Sequence, residues 1–194
     1  MAVDVRIFAP LSSIDTCAVW NVLSSRRLST AAAARGRNFI LVDYVRYECL
    51  TRPRANPSES DIQLQDLLRK KLERGDVTTL TVDVNDLREI ARVDLVRRLG
   101  RGEIAAIALA RKIRGAFLSD DRAAYRIACD AFPEQPSQTT PQLVGWLVYV
   151  GELTDGDFEI VVREHNDATG RSTLSAYFRK TYQMALHHRL AERQ

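Results

Sequence analysis

A chain of 194 residues, 45% hydrophobic and 27% charged, is long enough to bury an ordinary globular core and short for two full domains. Lys and Arg number 28 against 25 Asp and Glu, and a net charge of +3 is too small a bias to imply a nucleic-acid partner from bulk electrostatics. The longest apolar run, Leu143 to Val150, is well short of the roughly 20 residues a spanning helix needs, so no membrane partner is expected.

The N-terminus carries Asp4 and no apolar stretch with a small-residue cleavage site, which predicts a cytoplasmic setting. Cys17, Cys49 and Cys129 are odd in number and widely spaced, with no CxxC pair, so they predict reduced, mostly buried thiols rather than disulfides or a zinc site.

In chain order, apolar runs predict strands over Leu11 to Asp15, Asn38 to Val42, Val77 to Val82, Ala116 to Ser119 and, weakly, Gln138 to Thr140. Amphipathic periodicity predicts helices over Thr16 to Ser25, Asp43 to Leu50, Ser58 to Arg74, Asn85 to Arg97, Glu103 to Arg114, Arg122 to Ala131, Pro141 to Gly151, Asp155 to Glu164 and Thr173 to Glu192. The Ala31 to Ala34 run reads as ordinary helix, whereas Arg26 to Arg37 otherwise reads as a helix end and loop. Proline-bearing loops fall at 52–58 and 132–137, neither long nor polar enough to be an interdomain linker. Short apolar strands alternating with longer helices predict an α/β fold on a central parallel sheet of about four to five strands. The helical C-terminus, residues 156–194, reads as an extension packed on the preceding 1–155 unit.

Ligands of open parallel sheets bind beyond the carboxyl ends of the strands, and those positions here are acidic. Asp15 closes the first strand, and Asp120 and Asp121 follow the fourth. Glu103 opens the helix Gly102 to Ala110, and Glu48 lies on the helix leaving the second strand. Carboxylates crowded at one edge repel, and a hard divalent cation with oxygen ligands is the simplest partner, so Mg²⁺ or Mn²⁺ is expected.

These motifs carry a resemblance. Ile14-Asp15-Thr16-Cys17-Ala18-Val19-Trp20-Asn21 resembles the opening motif of PIN-domain nucleases, among them the VapC-like toxin ribonucleases. Tyr44 to Leu50, with Glu48, is similar to their second motif. Gly102 to Ala110 followed by Ala116 to Ala124 is similar to their third and fourth acidic motifs in order and spacing. The likeness spans roughly residues 11–155 and implies a PIN-like α/β/α sandwich with a helical C-terminal extension.

What the resemblance implies is a metal-dependent endoribonuclease. Asp15 and Glu103 are the expected direct ligands, Asp120 or Asp121 completes the set, and Glu48 positions the attacking water or holds a second ion. Thr16, Asn21 and Ser119 are expected to support those ligands. Arg26, Arg27, Arg46, Arg52 and Arg122 are candidates for phosphate contacts with RNA, and the histidines 165, 187 and 188 are expected to be exposed. The family implies an antitoxin protein as a partner, and the amphipathic C-terminal helix suits core packing, a homodimer or a partner helix. The competing reading is a non-catalytic RNA-binding or scaffold module, in which each carboxylate is only a helix cap or a solvated residue. A phosphoacceptor receiver domain is disfavoured, since it needs an early Asp pair and a late Lys, whereas the pair here is late and no Lys lies between Lys112 and Lys180.

Overall fold

The computed structural model describes residues 4–53, 56–170 and 172–192. They form an α/β/α sandwich on five parallel strands: β1 (Leu11–Ile14), β2 (Asn38–Val42), β3 (Thr78–Leu80), β4 (Ala116–Leu118) and β5 (Ser137–Gln138). The sheet order is β3-β2-β1-β4-β5, with Ser13 of β1 opposite Ile40 of β2 on one side and Phe117 of β4 on the other. The chain winds outward from β1 to β3, crosses back to β4 and winds the other way to β5. Winding therefore reverses between β1 and β4, where open α/β sheets leave a crevice beyond the strand ends.

On one layer lie α1 (Thr16–Leu23), α2 (Arg26–Ala34), α3 (Asp43–Leu50) and α4 (Glu59–Glu73), which connect β1 to β2 and β2 to β3. The return to β4 uses α5 (Val84–Ala91), a 3-10 segment Asp94–Arg98 and α6 (Arg101–Lys112). Helix α6 packs under β1, β2 and β4, and its run Ala105, Ala106, Ala108 and Ala110 is fully buried, since small side chains let the helix axis approach the sheet. Helix α7 (Arg122–Ala131) leads to β5, followed by α8 (Thr140–Tyr149), α9 (Asp155–Thr169) and α10 (Thr173–Ala191).

The apolar run that is too short to span a bilayer is α8. Every residue from Thr140 to Val148 is buried, because α10 covers the face of α8 that the rest of the fold leaves open. No described helix is long and apolar enough to cross a membrane.

Several boundaries differ from the sequence reading, each for a local reason. The first helix stops at Leu23 instead of Ser25, and a second begins at Arg26 where a loop was expected. Ser25 caps it by accepting the Leu28 amide at 3.0 Å. The stretch expected as one helix from Asn85 splits after Ala91, its start fixed earlier by the Asp83 capping box with Asp86. Helix α6 begins at Arg101, two residues early, because Glu103 reaches back to the Gly100 amide at 2.7 Å. Strand β5 ends at Gln138, since Thr139 is committed to capping α8. Helix α9 runs five residues past Glu164 to a left-handed Gly170 with φ 62°.

One extension places His165 inside the protein at 2% exposure, contrary to the expectation of a surface histidine. Its Nδ1 lies 2.8 Å from Ser24 Oγ, and its ring meets Phe178 of α10 edge-on at 5.1 Å. Burial lowers its pKa and favours the neutral ring. Beside it, Glu164 accepts the Ser25 hydroxyl at 2.6 Å and the Arg27 amide at 3.2 Å, so α9 is fastened to the α1–α2 turn.

Helices α8 and α10 approach closely at Gly145 of α8, where an added Cβ would lie 2.8 Å from Thr181 Cβ of α10 and 2.8 Å from Val5 Cγ1. Gly145→Ala is expected to destabilise the protein by about 1–3 kcal/mol through overpacking. Urea denaturation should show a lower midpoint with an unchanged slope, and an unaltered midpoint would mean that α8 and α10 are not closely packed.

Candidate metal centre

Strands β1 and β4 end side by side, and the residues that follow them build one cleft of about 470 Å³. Asp15, Glu48, Glu103 and Asp121 line it, together with Thr16, Cys17, Arg52 and Gly102. Asp15 is the innermost carboxylate. It is 3% exposed, its Oδ1 accepts the Ala18 amide at 2.8 Å and its Oδ2 accepts the Ser119 hydroxyl. Ser119 in turn accepts the Asp121 amide at 3.1 Å, which sets the turn that brings Asp121 to the cleft. Asp121 caps α7 with one oxygen, Oδ1, taking the Ala123 and Ala124 amides at 2.8 Å each.

Across the cleft, Glu48 of α3 accepts the Thr16 hydroxyl at 2.6 Å through Oε2 and faces Arg52 at 3.5 Å through Oε1. A Cβ at Gly102 would collide with the Glu48 carboxylate, so glycine there is what lets Glu48 lie against the start of α6. Glu103, one residue on, caps α6 through the Gly100 amide and stands at the same helix N-terminus. Both acidic walls are therefore held by short-range bonds to backbone or hydroxyl donors.

The adjacent aspartates, left open by the sequence, are given different surroundings. Asp121 faces the cleft, whereas Asp120 turns back into the fold. Its oxygens accept the Thr140 amide at 2.7 Å, the Thr140 hydroxyl at 2.5 Å and the Asn21 side-chain amide at 2.8 Å. Asp120 thus ties α1 to the N-terminus of α8, and Asn21 bonds this buttress instead of a cleft carboxylate.

Electrostatics follow from burial. Desolvation raises Asp15 to about 7, opposed by the Ser119 and Ala18 bonds and reinforced by the Asp120 and Glu103 charges. Glu103 is raised by desolvation and by the neighbouring Asp121 and Glu48, and Asp120 by desolvation. The Cys17 thiol at the cleft mouth is pushed up to about 12, first by desolvation and then by Asp120, Asp15 and Asp121. A cleft that disfavours its own negative charges is chemically matched to a cation.

The donors lining the cleft are four carboxylates, the Thr16 hydroxyl and the Cys17 thiol, and the predominance of carboxylate oxygen fits a hard ion such as Mg²⁺ or Mn²⁺. Among the described residues no three His, Cys, Asp or Glu side chains are gathered into a ready-made ligand group. Each carboxylate leans on its own local donor, so coordination requires side-chain rotations within the cleft.

Of the five candidate arginines, Arg52 lines this cleft and its guanidinium is turned to Glu48. Arg27 is paired with Asp157 of α9 at 2.8 Å and serves the fold. Arg26 lines a separate cleft, and Arg46 and Arg122 are exposed on α3 and at the start of α7. The Gly102 contact with Glu48 escaped the sequence reading, which placed Gly102 just before a helix that in fact begins at Arg101; a glycine inside a helix is a signal of close approach. The chain matches no protein-family model and no curated protein.

Two expectations follow. An unfolded aspartate releases its proton near 3.8 and folded Asp15 near 7, so the folded state binds more protons between these values. Stability contributed by this group is therefore present at pH 4 and lost as pH rises through 7. Asp15→Asn keeps an oxygen for the α1 cap and removes the buried charge. Without divalent ions it should melt higher than wild type at pH 8, with the gap closing toward pH 5, and equal melting curves at pH 8 would refute the buried charge. Gly102→Ala should keep or slightly raise the melting temperature, because alanine favours helix by about 1 kcal/mol. It should nevertheless weaken Mn²⁺ binding in calorimetry by displacing Glu48.

Proposed function

We propose that the protein is a metal-dependent endoribonuclease of PIN-domain type that acts in the cytoplasm. The observation that carries this reading is the convergence of Asp15, Glu48, Glu103 and Asp121, from four distant segments, on one cleft at the winding reversal of the sheet. Asp15, Glu103 and Asp121 would hold the ion, with Glu48 facing them from α3. A divalent ion bound there supplies a lowered pKa for a water and neutralises charge on the phosphodiester.

The protein's own groups do the rest. Ser119 orients Asp15 and Asp121 through one hydroxyl, and Thr16 orients Glu48. Arg52, released from Glu48 when that carboxylate turns to a cation, becomes available to a phosphate oxygen. Asp120 has a positioning role through Thr140 and Asn21. An antitoxin segment is the partner that the family resemblance suggests.

A second reading has a specific observation in its favour. Asp15, Glu103 and Asp121 are all engaged as helix caps, which a non-catalytic RNA-binding scaffold would also need. Incubation of a mixed RNA pool with Mg²⁺, Mn²⁺ or EDTA separates the two. Metal-dependent cuts should appear with wild type and vanish in Asp15→Asn, Glu103→Gln and Asp121→Asn. Asp120→Asn should lower the melting temperature while retaining part of the cleavage. Absence of cleavage by folded wild type with either metal favours the scaffold.

A further inference from the structure

Positive charge is concentrated at the end of the sheet opposite the acidic cleft. A second cleft, of about 670 Å³, opens at the amino ends of β2 and β3 between α2 and α4. Arg26 of α2, Arg37 before β2, and Lys70, Lys71 and Arg74 at the end of α4 line it, against one carboxylate, Asp76. This local excess of four positive charges is larger than the net charge of +3 for the whole chain, so the rest of the molecule is close to balance.

The cations are not used up by the fold. Arg37 is held by the Phe8 carbonyl at 2.6 Å and lies over the Trp146 ring at 4.4 Å, and Lys71 approaches Asp76 at 4.0 Å. Among the described residues, Arg26, Lys70 and Arg74 have no carboxylate partner, and all three are exposed. Like charges gathered in a concavity without counter-charges repel one another, and an anion relieves that repulsion. Arginine forks and lysine ammonium groups together suit phosphate oxygens.

The two clefts share α1. Its first residues, Thr16 and Cys17, line the acidic cleft, and its last, Val22 and Leu23, line the basic one. Eight residues at about 1.5 Å rise make α1 a spacer of about 12 Å. At an axial rise of about 3.4 Å per phosphate in a stacked strand, that length corresponds to about three to four steps.

We propose that the cleft between α2 and α4 holds the phosphodiester backbone of RNA about three to four nucleotides from the phosphate presented to the acidic cleft. The assignment of the acidic end rests on the nuclease reading, and the binding at the basic end does not. It is tested with Asp15→Asn protein in EDTA, by fluorescence anisotropy of a fluorescein-labelled 12-nucleotide RNA over a range of salt. Adding Lys70→Gln and Arg74→Gln should weaken binding about tenfold or more and flatten the salt dependence by about two phosphate contacts. Arg163→Gln with Lys180→Gln, which removes the same charge from exposed positions on α9 and α10, should change little.

Should the lysine variant fold poorly, Arg26→Gln on the exposed first turn of α2 gives a second measure with the same expected direction. Equal weakening by the groove and control pairs overturns the proposal. Displacement of the RNA by polyglutamate at matched charge also overturns it, in favour of an acidic protein segment. Groove-dependent binding without cleavage by wild type would sustain this site and defeat the nuclease reading, and cleavage with groove-independent binding would do the reverse.

Discussion

One hydroxyl group joins the parts on which the site depends. Ser119, fully buried at the end of β4, donates to Asp15 after β1 and accepts the amide of Asp121, while its own amide bonds Gln138 of β5. The pairing of Ile14 with Leu118 puts it at this junction, since both strands end at the same height and both chains must turn outward there. Alanine at this position would leave a buried carboxylate short of a donor, which costs more than the bond itself returns. The acidic cleft is thus an outcome of strand register before it is an outcome of charge.

Repulsion among the carboxylates is managed by helix ends. Asp15, Glu103 and Asp121 stand at the N-termini of α1, α6 and α7, where exposed amides and the positive end of the helix dipole favour negative charge. For these residues the side chain that caps a helix is also the one that lines the cleft. The cap holds each side chain at the cleft wall. This arrangement places a cluster of acidic groups at the edge of an otherwise well-packed core, where desolvation raises Asp15 and Glu103.

Much of the architecture was legible because the apolar runs are short and their ends are chemically marked. Asn38–Val42, Asp43–Leu50 and Arg122–Ala131 have the limits read from the sequence, each bounded by a residue that favours a change of structure. The central parallel sheet followed from alternation of strand and helix, and the α/β/α layering from the resemblance to PIN domains. The break at Ser24-Ser25 was not legible, because Ser25 also bonds Glu164, 139 residues away. The burial of His165 had the same origin, since its partner Ser24 is 141 residues distant. Asp15 and Asp121 were found from their positions after strands and Glu48 and Glu103 from the helices they lie on, but the separation of Asp120 from Asp121 required the Thr140 and Asn21 contacts. Net charge concealed the basic cleft, because acids elsewhere offset cations that the fold gathers in one place.

The thiol of Cys17 shows what the acidic field does to a bystander. Cysteines are reactive as thiolates, and an exposed one on the first turn of a helix would ordinarily be activated by the nearby amides. Here the surrounding carboxylates and desolvation hold it protonated through the whole physiological range. The Cys17 side chain beside the cleft is therefore held in the thiol form, the weaker nucleophile, first by desolvation and then by the neighbouring carboxylates. The field that sets the carboxylates against one another thus also quiets a neighbouring sulfur.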